Sequence, residues 1–171
     1  MEKTFIPVNI ALLTISDTRT LETDTSGKVL RERVLAENHL VADQQIVQDD
    51  MYQIRAVVSQ WIADPDVQAI ISTGGTGLTG RDGTPEAVSV LLDKEIVGFG
   101  ELFRQISYQD IRTSTIQSRA IGGVANGTFI FCLPGSSGAC KTAWDDILKD
   151  QLDIRHRPCN FVELMPRLLE K

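Results

Sequence analysis

The sequence predicts an open α/β fold with a mostly parallel sheet. In the first half, apolar β-branched runs alternate with amphipathic segments of helical spacing, which is typical of parallel strands joined by right-handed crossovers. In the second half, Asn126-Gly127 between two apolar runs indicates a hairpin, so one strand is expected to run antiparallel to its neighbours. We expect a single domain spanning residues 1–171.

The first half is expected to be β-α-β-α-β. Residues 8–16 are nearly all apolar, as in a strand covered on both faces, whereas residues 40–47 are interrupted by polar side chains and predict a strand nearer an edge. Residues 26–37, between these two strands, and residues 51–63, after the second strand, carry apolar side chains at helical spacing. Residues 67–72 form the third predicted strand, which is buried and leads into a glycine-rich segment.

The second half is less regular. The predicted elements are a short helix from Pro85, a turn at 98–100, helices at about 101–108 and 115–120, and hairpin strands 121–125 and 128–133. Residues 134–138 then lead into a last helix that runs through Leu148. The tail, residues 153–171, is amphipathic but broken by two prolines, and we expect it to pack on the body or on a neighbouring subunit.

The glycine-rich segment 73–86 has the features of a phosphate cradle. Gly74, Gly75 and Gly77 can take positive φ and let backbone N–H groups, including that of Thr76, approach an oxyanion. Thr84 is predicted to be the N-cap of a helix with Pro85 and Glu86 in its first turn, and such a helix start attracts anions. Asp82 lies where a phosphate-bound Mg²⁺ would need an oxygen ligand.

Two other motifs compete for the same residues. Gly75, Gly77 and Gly80 spell G-x-G-x-x-G, but a dinucleotide site places that turn after the first strand, not the third. The spacing from Gly75 to Gly80 also fits a P-loop, yet Arg81-Asp82 stands in place of Lys-Ser/Thr. A tight strand-to-helix connection without a ligand is the remaining alternative.

Ligands of open α/β sheets bind beyond the carboxyl ends of the strands, and three loops leave strand ends there. The first runs from Ser16 and Asp17 to Ser26, the second is 73–84, and the third is 133–138, which contains Pro134, Gly135 and Ser136. Asp17 and Ser26 serve equally well as turn or cap residues.

Several further residues keep two interpretations. Either Asp49 or Asp50 would cap the helix that follows, and a capping residue can also face the site. Cys140 is interpreted as a packing residue rather than a reactive thiol. The arginines that would either clamp phosphate or lie on solvated helix faces are Arg104, Arg112 and Arg119.

Composition excludes several classes of function. The formal net charge of −6, with both signs interspersed, gives no basic surface for nucleic acid or an anionic membrane, so an acidic protein that handles phosphates is expected to need a divalent cation. Three cysteines without a C-x-x-C pattern argue against a disulfide framework, and the presence of only two histidines argues against a zinc site. No apolar run approaches a membrane span and no signal peptide is evident, so we expect a cytoplasmic protein.

The sequence resembles the MoaB/MogA family of molybdenum cofactor biosynthesis proteins, and the MoaB branch more than MogA. The resemblance covers nearly the whole chain and rests on the segments 73–77, 81–87, 98–101, 118–119 and 133–136. It implies a three-layer α/β/α sandwich with a mostly parallel sheet, assembled as a homotrimer or as a hexamer of two trimers.

The resemblance also implies a reaction, the adenylylation of molybdopterin by Mg-ATP to give adenylyl-molybdopterin and pyrophosphate. Other proteins of molybdenum cofactor biosynthesis are the implied partners. Asp82 and Asp49 are the implied catalytic and metal-ligating residues; Asp49 matches the family position better than Asp50. The implied substrate-binding residues are Ser16, Asp17, Ser26, Gly74, Gly75, Thr76, Gly77, Thr84, Pro134, Gly135 and Ser136.

Two alternatives to this reaction are kept. One is a non-catalytic molybdopterin-binding or assembly protein of the same pathway. The other is a nicotinamide-dependent oxidoreductase that uses Gly75, Gly77 and Gly80, which an NADH titration would detect.

Overall fold

A computed structural model describes residues 3–171 and shows a six-stranded sheet flanked by helices. The strands are β1 (Asn9–Ile15), β2 (Leu40–Val47), β3 (Ala69–Thr73), β4 (Lys94–Glu95), β5 (Ile121–Ala125) and β6 (Thr128–Leu133). The helices are α1 (Thr25–Ala36), α2 (Met51–Ala63), α3 (Thr84–Ser89), α4 (Val97–Ile111), α5 (Ser137–Ala143), α6 (Lys149–Gln151) and α7 (Phe161–Leu164). A π-helical segment, Trp144–Leu148, joins α5 to α6, and 3₁₀ turns span Arg112–Gln117 and Met165–Arg167.

The strand order is β2-β1-β3-β6-β5-β4, and only β5 runs against its neighbours. The turn between β5 and β6 has positive φ at both Asn126 (47°) and Gly127 (80°), as a two-residue hairpin turn with right-handed twist requires. The prediction of a mostly parallel sheet with one antiparallel strand is therefore confirmed.

The sheet has an apolar cluster on each face, because side chains alternate along its buried strands. Leu12 and Ile71 point to the side covered by α1, α4 and α5, where Trp144 is among the largest buried side chains. Leu13 and Ile70 point to the side covered by α2 and α3. These two clusters make the three-layer α/β/α sandwich that was predicted.

Two predictions about the second half were wrong. Residues 98–100 do not form a turn but lie in the first turns of α4, where Gly100 allows close packing: a Cβ there would lie 3.0 Å from the Arg104 guanidinium and would overlap Ala120 O. The helix expected at 115–120 is instead the 3₁₀ turn 112–117, which begins at Arg112 with φ 54°. The two-residue strand β4 was not predicted.

The tail packs on the body of the same chain, one of the two alternatives left open. The Phe161 ring lies 4.8 Å from that of Phe129 and 5.6 Å from that of Phe131, centroid to centroid. Between residues 3 and 171, no helix is both long and apolar enough to cross a membrane.

Candidate functional site

A polar pocket of about 510 Å³ lies at the carboxyl ends of β1, β3 and β6. The carboxyl ends of these adjacent parallel strands meet at one edge of the sheet, so the loops that follow them share this pocket. Its lining residues are Ile15, Ser16, Asp17, Asp49, Gly74, Gly75, Thr76, Gly77, Arg81, Asp82, Gln117, Ser118, Pro134 and Gly135. Most residues predicted for the site are thus brought together, whereas Ser26, Thr84 and Ser136 are not in this lining.

Residues 74–77, here called the glycine loop, have their carbonyl oxygens held from outside the pocket. Thr84 donates to the first two carbonyls, from its hydroxyl (2.9 Å) and its amide (3.0 Å). Arg119 donates to the other two, from its amide (3.3 Å) and its guanidinium (2.9 and 2.6 Å). The backbone is thereby fixed with its acceptors already satisfied.

The N–H groups of the glycine loop differ in their availability. The amide of Gly74 donates to Leu133 O (3.0 Å), so it is not open to a ligand. The amide of Gly77 faces the carboxylate of Asp82 and helps to lower its pKa. Within the described chain, no protein acceptor is found for the amides of Gly75 and Thr76. These two donors are the ones available to an oxyanion.

Gly75 is required by both conformation and space. Its φ is +68°, which L side chains rarely adopt, and a Cβ would lie 2.9 Å from Asp49 Oδ2 and overlap Thr84 Oγ1. Gly135 has a related role between loops, since a Cβ there would lie 3.3 Å from the Cα of Gly74. The close contact between the second and third loops therefore depends on glycine on both sides.

The carboxylates of Asp49 and Asp82 both line the pocket but have different surroundings. Burial raises the pKa of Asp49, and the nearby charges of Asp82 and Asp17 raise it further, while a hydrogen bond from Gly83 N to Oδ1 (3.3 Å) opposes the shift. The Thr79 hydroxyl (2.6 Å) and then the Thr79 amide (2.9 Å) lower the pKa of Asp82 by donating to its Oδ2. Neither oxygen of Asp49 has a side-chain donor within the described chain, and Oδ1 of Asp82 has none either.

The structure distinguishes the roles of Asp49 and Asp50, which the sequence alone left open. Asp50 is the N-cap of α2, because its carboxylate accepts from the amides of Tyr52 (3.0 Å) and Gln53 (2.9 Å). Asp49 is the one that reaches the pocket.

Asp17 lies at the pocket mouth in a bidentate ion pair with Arg81. Arg81 Nε donates to Asp17 Oδ2 (3.0 Å) and Nη2 donates to Oδ1 (2.6 Å), and the hydrogen bond with Arg81 lowers the pKa of Asp17. Asp17 Oδ1 also accepts from the amide of Asp49 (3.1 Å), which ties the first loop to the start of α2.

A smaller cavity of about 170 Å³ adjoins the pocket and contains Ser136. It shares Ser118 and Pro134 with the main pocket and is otherwise lined mainly by α4 and α5. The Ser136 hydroxyl accepts from the amide of Ala139 (3.0 Å), so Ser136 is the N-cap of α5.

Comparisons with known proteins show the family to which the chain belongs. A family model described as a probable molybdopterin binding domain matches residues 11–154. Molybdenum cofactor biosynthesis protein B of Escherichia coli (strain K12) is 55% identical over 157 residues, 92% of this chain and 92% of that protein. The chain belongs to the MoaB/MogA family of molybdenum cofactor biosynthesis proteins, in its MoaB branch.

Solved structures of this family share the fold. A crystal structure of a molybdenum cofactor biosynthesis protein B has a TM-score of 0.85 at 47% identity, covering 88% of this chain and 94% of that one. The tungsten cofactor synthesizing protein MoaB from Pyrococcus furiosus has a TM-score of 0.75 at 32% identity, covering 84% of this chain and 92% of its own.

Two predicted site residues have structural roles in this family member. Thr84 is not an N-cap: α3 begins at Thr84 itself, Gly83 precedes it without a side-chain cap, and the fully buried Thr84 hydroxyl instead donates to the glycine loop. Ser26 is buried at the start of α1, where its hydroxyl donates to Asp24 (3.4 Å). Asp24 itself caps α1 by accepting from Gly27 N (2.9 Å), so a protein carboxylate already serves this helix start.

Arg119 is a site residue whose role sequence reasoning did not resolve. Besides holding the glycine loop, its guanidinium forms an ion pair with Glu86 in α3, so it is neither a solvated residue nor a free phosphate clamp. The segment 118–119, one of those on which the family resemblance rests, was the only signal in the sequence. Arg104 is likewise engaged, with the carbonyls of Ser118 and Ala120 (both 3.2 Å).

Cys140 is a packing residue, as predicted. It is completely buried, burial raises the pKa of its thiol to about 11, and its Sγ contacts Thr73 Oγ1 (3.3 Å).

Proposed function

We propose that the protein binds molybdopterin and adenylylates it with Mg-ATP. The observation that carries this proposal is the glycine loop, whose carbonyls are all engaged and whose Gly75 and Thr76 amides remain open beside two carboxylates, Asp49 and Asp82. Such a pocket combines oxyanion donors with oxygen ligands for a hard cation. The match to a probable molybdopterin binding domain supports the pterin as ligand.

The reaction is a substitution at the α-phosphorus of ATP. A terminal phosphate oxygen of molybdopterin forms the new P–O bond, the bond from the α-phosphorus to the bridging oxygen breaks, and pyrophosphate leaves with that electron pair. The loop amides would hold phosphate oxygens in line, so positioning and electrostatic stabilisation supply the catalysis.

Magnesium fits the residues that are present. In the described chain no three His, Cys, Asp or Glu side chains are grouped to hold a metal ion, but Mg²⁺ bound with a nucleotide commonly takes one or two carboxylates, substrate phosphates and water. Asp49 and Asp82 would be those carboxylates, each with at least one oxygen free of side-chain donors. When bound, Mg²⁺ would offset the charge that develops on pyrophosphate.

We further propose a homotrimer or a dimer of trimers that works with other molybdenum cofactor biosynthesis proteins in the cytoplasm. Exposed apolar side chains support self-association: Val97 is 55% exposed and Ile116 is 76% exposed, and both line one surface cavity. Three free cysteines support a reducing compartment.

The test is to incubate the purified protein with molybdopterin, Mg²⁺ and ATP and to separate adenylylated pterin and pyrophosphate by chromatography with mass detection. Asp82→Asn should lower turnover by at least about 100-fold while changing pterin affinity little, because it removes charge that acts on the reacting phosphates. Unchanged turnover in Asp82→Asn would remove Asp82 from the mechanism.

A non-catalytic molybdopterin-binding protein is the second candidate. It is favoured by one observation, that Thr79 donates two hydrogen bonds to Asp82 Oδ2. Asp82 therefore also stabilises the conformation of its loop, and a protein without catalytic activity would still need it for that purpose. Pterin that is bound but unmodified, under conditions where a MogA control produces adenylylated pterin, would establish this alternative. An NADH titration should show no binding, and saturable binding would instead support the nicotinamide-dependent alternative.

A further inference from the structure

Among the described residues, Arg81 is the only one with a cationic side chain in the pocket lining, and it is paired with Asp17. Both guanidinium contacts are short, at 2.6 and 3.0 Å, although the Arg81 side chain is 64% exposed. A planar guanidinium presents the same two-pronged donor set to a carboxylate and to a phosphate group. Asp17 therefore occupies the donors that a phosphate ligand would use.

The charges that line the pocket make the pairing of Arg81 with Asp17 important for anion binding. The lining contains three carboxylates, of Asp17, Asp49 and Asp82, against one guanidinium. Arg119 does not compensate, because it lies outside the lining and its side chain is committed to Gly77 O and to Glu86. An entering anion meets a net negative pocket whose single cation is already paired.

Arg81 has room to turn. Its side chain is 64% exposed and is held only by Asp17 among the described residues. The ion pair is itself partly exposed, a setting in which such pairs contribute little net stability. Replacing the Asp17 carboxylate by a phosphate group as the acceptor should therefore cost little free energy.

We propose that Arg81 exchanges between two acceptors: it pairs with Asp17 when no ligand is bound and with a phosphate group when a ligand is bound. When a ligand carrying phosphates enters, the Arg81 guanidinium leaves the Asp17 carboxylate and binds a phosphate group. Asp17 is then an internal competitor that weakens anion binding, not a ligand-binding residue. The proposal rests on the proposed function in one respect only, that the ligand of this pocket carries phosphates.

The exchange predicts that substitution of Arg81 and substitution of Asp17 have opposite effects on pyrophosphate binding. Binding of inorganic pyrophosphate would be measured by calorimetry in EDTA, so that no metal contributes. Arg81→Gln should weaken binding by about 10- to 100-fold, because a charge-assisted donor to the ligand is lost. Asp17→Asn should strengthen it by about threefold to tenfold, because Arg81 is released, while the Asn oxygen can still accept from Asp49 N.

The double variant separates exchange from simple repulsion. If Asp17 only repelled the anion, Asp17→Asn would strengthen binding equally in the Arg81→Gln background. Exchange predicts instead that the gain disappears without Arg81, so the two substitutions are strongly non-additive. Additive effects, or weaker binding by Asp17→Asn with its melting temperature unchanged, would overturn the proposal.

A second bidentate pair provides the control. Arg33 donates to Asp145 at 2.8 and 2.9 Å between α1 and the segment after α5, outside the pocket lining. Arg33→Gln and Asp145→Asn should leave pyrophosphate affinity unchanged. If wild-type binding is undetectable in EDTA, binding by Asp17→Asn alone still supports exchange, whereas no binding by either protein, in EDTA or with added Mg²⁺, overturns it.

This experiment is independent of the adenylylation reaction. A protein that binds molybdopterin without turnover would still show the opposite effects, because the measurement uses pyrophosphate and no catalysis. Conversely, adenylylation with unchanged pyrophosphate affinity in both single variants would refute the exchange and leave the proposed function intact.

Discussion

Replacement of Gly75 by Ala tests whether the glycine loop is held as the structure shows. The backbone at Gly75 has φ +68°, and the new methyl group would meet the hydroxyl of Thr84 and, at 2.9 Å, the carboxylate of Asp49. Gly80→Ala is the matched control, since a Cβ there has open space and φ is outside the left-handed region.

The expected loss of stability has two parts. A left-handed conformation costs a non-glycine residue about 1–2 kcal/mol. Displacing the fully buried Thr84 hydroxyl from its 2.9 Å hydrogen bond with Gly74 O leaves buried polar groups unsatisfied, at about 1–3 kcal/mol. The sum, about 2–5 kcal/mol, is a large fraction of the typical stability of a domain.

The assay is equilibrium urea unfolding of wild type, Gly75→Ala and Gly80→Ala. We expect Gly80→Ala to differ from wild type by less than about 1 kcal/mol, since it adds a methyl group to open space. Gly75→Ala should unfold at clearly lower urea concentration and lose pyrophosphate affinity. Equal stability of the two variants would refute the account of the loop.

Three further substitutions test the framework around the pocket. Arg119→Gln should cost about 1–3 kcal/mol of unfolding free energy and weaken pyrophosphate binding, whereas Arg33→Gln, which breaks a comparably exposed ion pair, should leave binding unchanged in calorimetry. Burial lowers the pKa of His39, so only the unfolded chain takes up a proton near pH 6.5, and unfolding free energy should fall as pH drops from about 7.5 to 5.5. His39→Gln, which can still accept from Val8 N, should flatten that dependence in urea titrations, and an unaltered slope would contradict the assignment. Ser136→Ala should lower stability by about 1 kcal/mol by removing the cap of α5, as thermal unfolding would show.

The sheet was predictable because its signals are local. The apolar run around β1, the periodicity of α2 and the Asn126-Gly127 turn each specify their structure within a few residues. The pocket edge followed from the rule that parallel strands deliver their loops to one side, and this placed the glycine loop, Asp82 and Gly135 correctly in one lining.

The errors came from contacts that are distant in sequence. The Thr84 hydroxyl bonds to a carbonyl ten residues earlier, so a residue type that favours N-caps has a different role. Arg119 reaches a carbonyl 42 residues away, and no local pattern indicates such a contact. Gly100 was interpreted as a turn residue, although it serves helix packing against Ala120.

The most direct test of the central claim counts product molecules per chain. Wild-type protein, Asp49→Asn and Asp50→Asn would each be incubated with excess molybdopterin, Mg²⁺ and ATP, and adenylylated pterin quantified over time. The account predicts many turnovers for wild type and for Asp50→Asn, because Asn caps a helix about as well as Asp, and loss of turnover for Asp49→Asn. Product below one molecule per chain in wild type, or equal rates in the two variants, would contradict it.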